Sequence, residues 1–269
     1  MNKKDAEFAG SIPTTYDKYL GRLFFEPYAE DLAARLHVSE NSSVLEVACG
    51  TGILTRILRE RLPRSVALTA TDLNEPMMRH ASEKFAGNET VVWKQADACS
   101  LPFPDEAFDA VICQFGVMFV PDKALCAREA RRVLKPGGAF LFNVWDSLAA
   151  NPLGKIPHET IARYFEKDPP AFYQVPFGYY DQAEIRRVLE GAGFRDVRME
   201  VVSKSSGNTR VEDAAAGLVQ GTPVSVAIAE RDPSLFPVIT EAVARALEEQ
   251  FGGPSFRAPM RAIVVEARR

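Results

Sequence analysis

The stretch Val44–Thr55, VLEVACGTGILT, joins a carboxylate to a turn of high backbone freedom. Glu46 closes an apolar run, and Ala48, Gly50, Thr51 and Gly52 follow within six residues. Glycine has no Cβ, so Gly50 and Gly52 permit φ > 0 or a close approach of backbone N–H groups to a ligand. Asp72 stands twenty residues beyond Gly52, at the end of the next apolar run. At that offset an acid in a nucleotide-binding βαβ unit reaches the ribose hydroxyls, and a carboxylate there discourages a 2′-phosphate. Asp97 offers an acceptor for an adenine amino group, while Leu73, Met77 and Ala98 supply flat apolar walls for a purine. Together these residues describe an adenosine.

The turn narrows which adenosine it is. A dinucleotide fingerprint G-x-G-x-x-G anchored on Gly50 and Gly52 needs a third small residue at position 55, which is Thr55. Anchored on Ala48 and Gly50 the pattern fails at Ile53. A pyrophosphate also favours a turn of N–H groups free of carboxylates, and Glu46 lies beside this one. A ligand with a positive centre fits better. S-adenosyl-L-methionine, with its ammonium and sulfonium, is therefore preferred over NAD as the cofactor.

These residues need a scaffold that brings strand ends together. Short apolar runs at Val44–Ala48, Val66–Thr71, Val91–Lys94, Phe108–Cys113 and Ala139–Val144 alternate with segments of helical periodicity. That alternation predicts an α/β fold with a parallel, doubly wound sheet covered on both faces. Ligands of such sheets lie beyond the carboxyl ends of the strands. Gln114 and Phe115, after the fourth run, therefore join the candidate set. Two short helices, interrupted at Gly21, are expected between residues 14 and 37. One helix is expected over Glu159–Glu166, another after the N-cap Asp181, and two pieces between residues 211 and 251. The charged run Arg56, Arg59, Glu60, Arg61 reads as a solvated helix face.

Five segments in order, VLEVACGTG, ATDLNEPMM, QADACSLPFPDEAFDAVIC, RVLKPGGAFLF and the strand-rich C-terminus, resemble the class I S-adenosylmethionine-dependent methyltransferases. The likeness is nearest to the ubiquinone/menaquinone-biosynthesis-like type 11 group of small-molecule enzymes, and it is clearest over residues 40–145. It implies a Rossmann-like sheet of seven strands in the order 3-2-1-4-5-7-6 with the last strand antiparallel. It implies that Glu46 and the Gly50–Gly52 loop hold the methionine moiety, Asp72 the ribose, and Asp97 with Ala98 the adenine. Gln114 and Phe115 would face the methyl-donor side. Ala48 departs from the family, which has a glycine there.

One elaborated domain is expected. Residues 1–40 would form an N-terminal helical lid, 41–145 the cofactor-binding core, 146–180 and 204–258 two lid-like substrate-side inserts, and 181–203 with 259–269 the remainder of the sheet. The inserts are rich in Phe, Tyr and Pro, which points to a small, apolar or aromatic acceptor. Methyl transfer needs a base only when the nucleophile arrives protonated. His158 is the candidate base, Tyr16 and Tyr19 the candidate hydroxyl contacts, and Phe115 and Phe177 candidate walls for the acceptor.

Composition sets outer limits. A net charge of −4 gives no footing for a protein led by phosphate contacts, so no nucleic-acid partner is expected. No run of about 18 apolar residues occurs, so no membrane span is expected. The first ten residues lack the apolar stretch of a secretory leader, which points to the cytoplasm; a monomer or homodimer is expected. Cys49, Cys99, Cys113 and Cys126 form no C-x-x-C pair, and His37, His80 and His158 are scattered, so no metal site is proposed. Two rival readings are an NAD-dependent oxidoreductase on the same sheet and a binding protein that kept the adenosyl pocket without turnover.

Overall fold

The computed structural model describes residues 12–85 and 90–269. Its centre is a seven-stranded sheet built from β1 (Ser43–Val47), β2 (Ala67–Asp72), β3 (Val91–Gln95), β4 (Phe108–Gln114), β5 (Leu134–Trp145), β6 (Arg195–Ser205) and β7 (Pro259–Arg268). The order is β3-β2-β1-β4-β5-β7-β6, as expected. β1 pairs in parallel with β2 and β4, and β7 runs antiparallel to both β5 and β6. Strands with helices on both faces read as continuous apolar runs. Accordingly Val44, Leu45, Val111 and Ile112 are fully buried in the two central strands. At the edge, in β3, Val92 is 61% exposed.

The chain winds outward from β1 to β3 and then returns to β4 on the other side of β1. That reversal places the ends of β1 and β4 at the switch point, where such sheets bind ligands. The helices Ile53–Arg61 (α2), Glu75–Glu83 (α3) and Lys123–Val133 (α4) cover this half. Asp122 caps α4 by accepting from the Leu125 N–H at 2.8 Å. Asp181 does the same for α6 (Gln182–Gly191), accepting from the Ala183 N–H.

The N-terminal segment is one unbroken helical run where two helices were expected. A turn at Ile12–Thr15 leads into a π-helical stretch, Tyr16–Phe25, and then α1 (Glu26–Arg35). Gly21 lies inside the π-helical stretch and does not interrupt it. The wider i→i+5 turn of such a helix brings Tyr16, Leu20, Phe24 and Phe25 round to one side. Residues 1–11, the rest of the expected lid, lie outside the described residues.

Three further expectations are corrected. The helix expected over Glu159–Glu166 is α5, Pro152–Ala162, which starts on a proline and keeps Pro157 inside. Between residues 211 and 251 there are three helices, α7 (Val211–Gln220), α8 (Val224–Arg231) and α9 (Leu235–Phe251), with Pro223 starting the second. Arg59 is 8% exposed and not solvated. Its guanidinium donates to the carbonyls of Leu62, Pro63 and Val66, closing the turn into β2. The buried apolar side chains form one continuous cluster that includes both inserts. No helix of the described residues is long and apolar enough to cross a membrane.

Candidate active site

The turn after β1 is left-handed at three places: Ala48 (φ 56°), Gly50 (φ 55°) and Gly52 (φ 81°). A Cβ on Gly50 would meet nothing closer than Met77 Cε at 3.7 Å, so its positive φ is what demands glycine. At Gly52 a Cβ would lie 2.9 Å from that of Ala81, so this glycine lets α2 pack on α3. Gly52 faces the outer groove beside Asp17 and Lys84 and does not line the cleft over the strand ends.

Asp72 ties the turn together. Its Oδ2 accepts from the Gly50 N–H at 2.8 Å and its Oδ1 from the Asn74 N–H at 2.7 Å. The side chain is buried, and burial raises its pKa despite these bonds. Asp72 opens a cleft shared by Leu73, Asn74, Met77, Asp97, Ala98, Gly50 and Ala48. The adenosine-binding candidates other than Gly52 are thus gathered along one wall. Asp97 is exposed there, its Oδ1 accepting from Cys99 N–H at 2.8 Å.

An inner extension of the cleft runs past Gly50 and Thr51 to Glu46. Glu46 is 1% exposed, and its Oε2 has no hydrogen-bond partner among the described residues. The hydroxyls of Thr51 and Thr55 are buried beside it, and neither completes a well-formed hydrogen bond among the described residues. Burial, moderated by the Thr55 hydroxyl and reinforced by the Asp72 carboxylate, pushes Glu46 up to about 8. Unmet polar atoms of this kind cost about 1–3 kcal/mol each. A ligand bringing an ammonium group satisfies the acceptors and offsets the carboxylate charge, whereas a pyrophosphate would add to it. The donor set therefore fits the amino-acid end of S-adenosyl-L-methionine.

Beyond Phe115 the cleft gives way to an apolar chamber. Leu20, Phe24, Phe25, Met118, Trp145, Phe172, Tyr173, Phe177, Leu218 and Thr222 line it. Tyr16, Phe115 and Phe119 border both spaces. The Phe115 ring is stacked on Trp145 with centroids 3.9 Å apart and planes at 10°. Phe177 meets Trp145 at 5.8 Å, and Phe24 meets it at 5.6 Å. The polar atoms of the far wall are already donating, Tyr173 OH and Thr222 Oγ1 both to the Leu218 carbonyl. Among the described residues no charged side chain lines the chamber.

Tyr16 is held over the junction from two sides. Its ring stacks on Phe25 at 5.0 Å, and the neighbouring Asp17 is anchored to Lys84 at 2.7 Å and to His80 at 3.4 Å on the α3 side. Burial and then the carboxylates of Asp72 and Asp17 raise the Tyr16 phenol well above its ordinary range. The phenol is therefore held in its protonated form. Gln114 donates to the Phe25 carbonyl at 2.8 Å and so fastens the N-terminal helix to the end of β4.

Two candidates are not brought to the junction. His158 sits on α5 and lines neither cleft nor chamber. Tyr19 faces α7, where its Cβ would stand 2.8 Å from a Cβ on Gly217. The helical run turns Tyr16 inward, and Tyr19, three residues on, therefore falls on another side. Sequence reading missed Trp145, although it follows the fifth apolar run as Gln114 follows the fourth. It also missed Asn143, whose only signal was being polar within AFLFNVW.

Residues 45–142 match the methyltransferase domain family. The demethylmenaquinone methyltransferase of Staphylococcus aureus strain JH9 is 30% identical over 206 residues, which span 70% of this chain and 84% of that protein. Phosphoethanolamine N-methyltransferase 2 of Haemonchus contortus, solved with S-adenosyl-L-methionine, superposes with a TM-score of 0.60 at 16% identity, covering 96% of this chain and 56% of that one. A SAM-dependent methyltransferase of Aquifex aeolicus gives 0.51 at 24% identity over 73% and 92% of the two chains. At these identities the structural likenesses speak for the fold.

Proposed function

The chain belongs to the class I S-adenosylmethionine-dependent methyltransferases of the ubiquinone/menaquinone type, and from that membership we propose that it methylates a flat, apolar aromatic acceptor of quinol type. The observation that carries the proposal is the uncharged aromatic chamber opening onto the cofactor cleft at Tyr16, Phe115 and Phe119. The name of the Staphylococcus relative, a demethylmenaquinone methyltransferase, supports the same class of acceptor.

In this reading Glu46 and Thr51 receive the ammonium end of the cofactor. Asp72 takes the ribose hydroxyls with its remaining lone pairs, and Asp97, Leu73, Met77 and Ala98 surround the adenine. Bound S-adenosyl-L-methionine supplies an electrophilic methyl group on a sulfonium. The chain's own contribution is alignment and exclusion of water, which together are able to provide most of the acceleration. Phe115 and Trp145 fix the plane of the acceptor ring, and Phe177 and Phe24 close its sides. The Tyr16 hydroxyl orients an acceptor oxygen by donating to it. With His158 remote and Tyr16 held neutral, no base is assigned, and the acceptor attacks through an atom already ionised or electron-rich.

Incubation with methyl-labelled cofactor across libraries of phenols, quinols and amines tests the proposal. Label is expected in hydroxylated one- or two-ring aromatics. Label confined to charged aliphatic amines would overturn it, and cofactor binding with transfer to nothing would favour a non-catalytic binding protein.

A further inference from the structure

Asn143 is out of character with its surroundings. It lies near the carboxyl end of β5, fully buried, in a run otherwise made of Phe140, Leu141, Phe142, Val144 and Trp145. A central strand covered on both faces favours apolar side chains. A buried carboxamide there is costly, the more so because its Nδ2 has no hydrogen-bond partner among the described residues. Something must compensate for it.

The compensation is at Phe115. The Asn143 Oδ1 accepts from the Phe115 N–H at 2.9 Å, and the Asn143 main-chain oxygen reaches the same N–H at 3.2 Å. Phe115 has φ 49°, a left-handed conformation that an aromatic residue seldom adopts without support. Residues i and i+2 of a strand share a face. One face of β5 therefore grips Phe115 twice, through Asn143 at its backbone and through Trp145 at its ring. A third contact comes from Tyr28, whose ring lies nearly perpendicular to that of Phe115 with centroids 5.4 Å apart.

We propose that Asn143 is a positioning residue for methyl transfer: by holding the Phe115 backbone it sets the ring that borders both cleft and chamber, and so sets the line along which the acceptor meets the donor. This rests on the acceptor reading given above. Asn143 touches neither ligand space itself, since it lines neither. A polar group kept at a cost to stability, in exchange for one strained backbone, points to geometry and not to folding as its purpose.

The experiment compares Asn143 with Asn143→Val, each in a Trp93→Phe background that leaves Trp145 as the sole tryptophan of the chain's two. Expected for the valine variant are an unchanged or raised melting temperature and an S-adenosylhomocysteine Kd within about threefold of the parent. Trp145 emission should change, and kcat/KM for 1,4-dihydroxynaphthalene should fall at least tenfold, mostly in kcat. Unaltered Trp145 emission would overturn the proposal, as would unaltered transfer. So would a loss of transfer that simply tracks a lower melting temperature and weaker cofactor binding. If the parent binds S-adenosylhomocysteine but does not methylate this naphthalenediol, the acceptor reading fails, while the emission comparison still decides whether Asn143 positions Phe115.

Discussion

A Cβ placed on Gly116 would lie 2.4 Å from the Cβ of Ala48. The two residues therefore share one methyl-sized space at the ends of neighbouring strands, and Ala48 occupies it. Ala48 is left-handed (φ 56°), where a methyl group costs about 1 kcal/mol. Glycine at 48 would relieve that strain and lose a similar amount in backbone entropy, so Ala48→Gly should be close to neutral. Gly116→Ala overpacks the turn and should cost about 2 kcal/mol. The double variant should recover part of that loss, with a coupling of about 1 kcal/mol, because Cys113 Sγ at 2.7 Å still crowds the new methyl. Urea unfolding of the four proteins measures the cycle, and strict additivity would contradict the shared space.

The carboxyl of Glu46 gives the unliganded protein a distinctive pH dependence. Its folded-state pKa of about 8 lies above the ordinary 4.5, so its stabilising effect as a neutral acid is complete below about 4.5 and lost as pH rises through 8. The melting temperature should therefore decline between about pH 5 and 8. Glu46→Gln should flatten that decline, leaving whatever slope Asp72 contributes, since it is shifted in the same direction. Binding of an ammonium-bearing ligand favours the ionised form. Titration with S-adenosylhomocysteine at pH 7 should then release close to one proton, read from the dependence of heat on buffer ionisation enthalpy. Glu46→Gln should release almost none, and equal release by both proteins would contradict the assignment.

Asp72 does two jobs, one visible in its bonds to Gly50 and Asn74 and one assigned to ribose. Asp72→Ala leaves two part-buried N–H groups, of Gly50 and Asn74, without their acceptor and removes the ribose contact. Hydrogen bonds to a charged group are worth about 1.5–3 kcal/mol, so S-adenosylhomocysteine affinity should fall at least tenfold. Asp72→Asn retains one acceptor oxygen and should lose less. Calorimetry on both variants checks the order.

For His158→Ala the expectation is little change. Its imidazole lies on α5, away from the junction. Turnover should remain within about twofold of the parent across the pH range, and a lost limb in the pH–rate profile would restore it as a base.

That the cofactor candidates would gather at one end of the sheet was legible in the sequence because each sits at or just past a strand end, and local periodicity locates strand ends. Glu46, Asp72 and Asp97 needed only that rule. Tyr16 and Tyr19 could not be told apart, since which of them faces inward depends on the π-helical turn between Tyr16 and Phe25. Pro157 argued locally against the helix it sits in, and tertiary packing of α5 overrode it. Arg59 looked solvated because its partners are backbone carbonyls, which sequence patterns do not display. The chamber is assembled from segments around residues 20, 118, 145, 177 and 218, a convergence that no short-range signal encodes.

The separation of donor and acceptor into two spaces meeting at Phe115 is tested most directly by filling only the second. Thr222 lines the chamber and not the cleft. Labelled methyl transfer by Thr222→Phe, measured beside S-adenosylhomocysteine affinity in the same preparation, should fall more than tenfold while the affinity stays within about threefold. Undiminished transfer to the same aromatic acceptor would contradict the assignment of the chamber as its binding site.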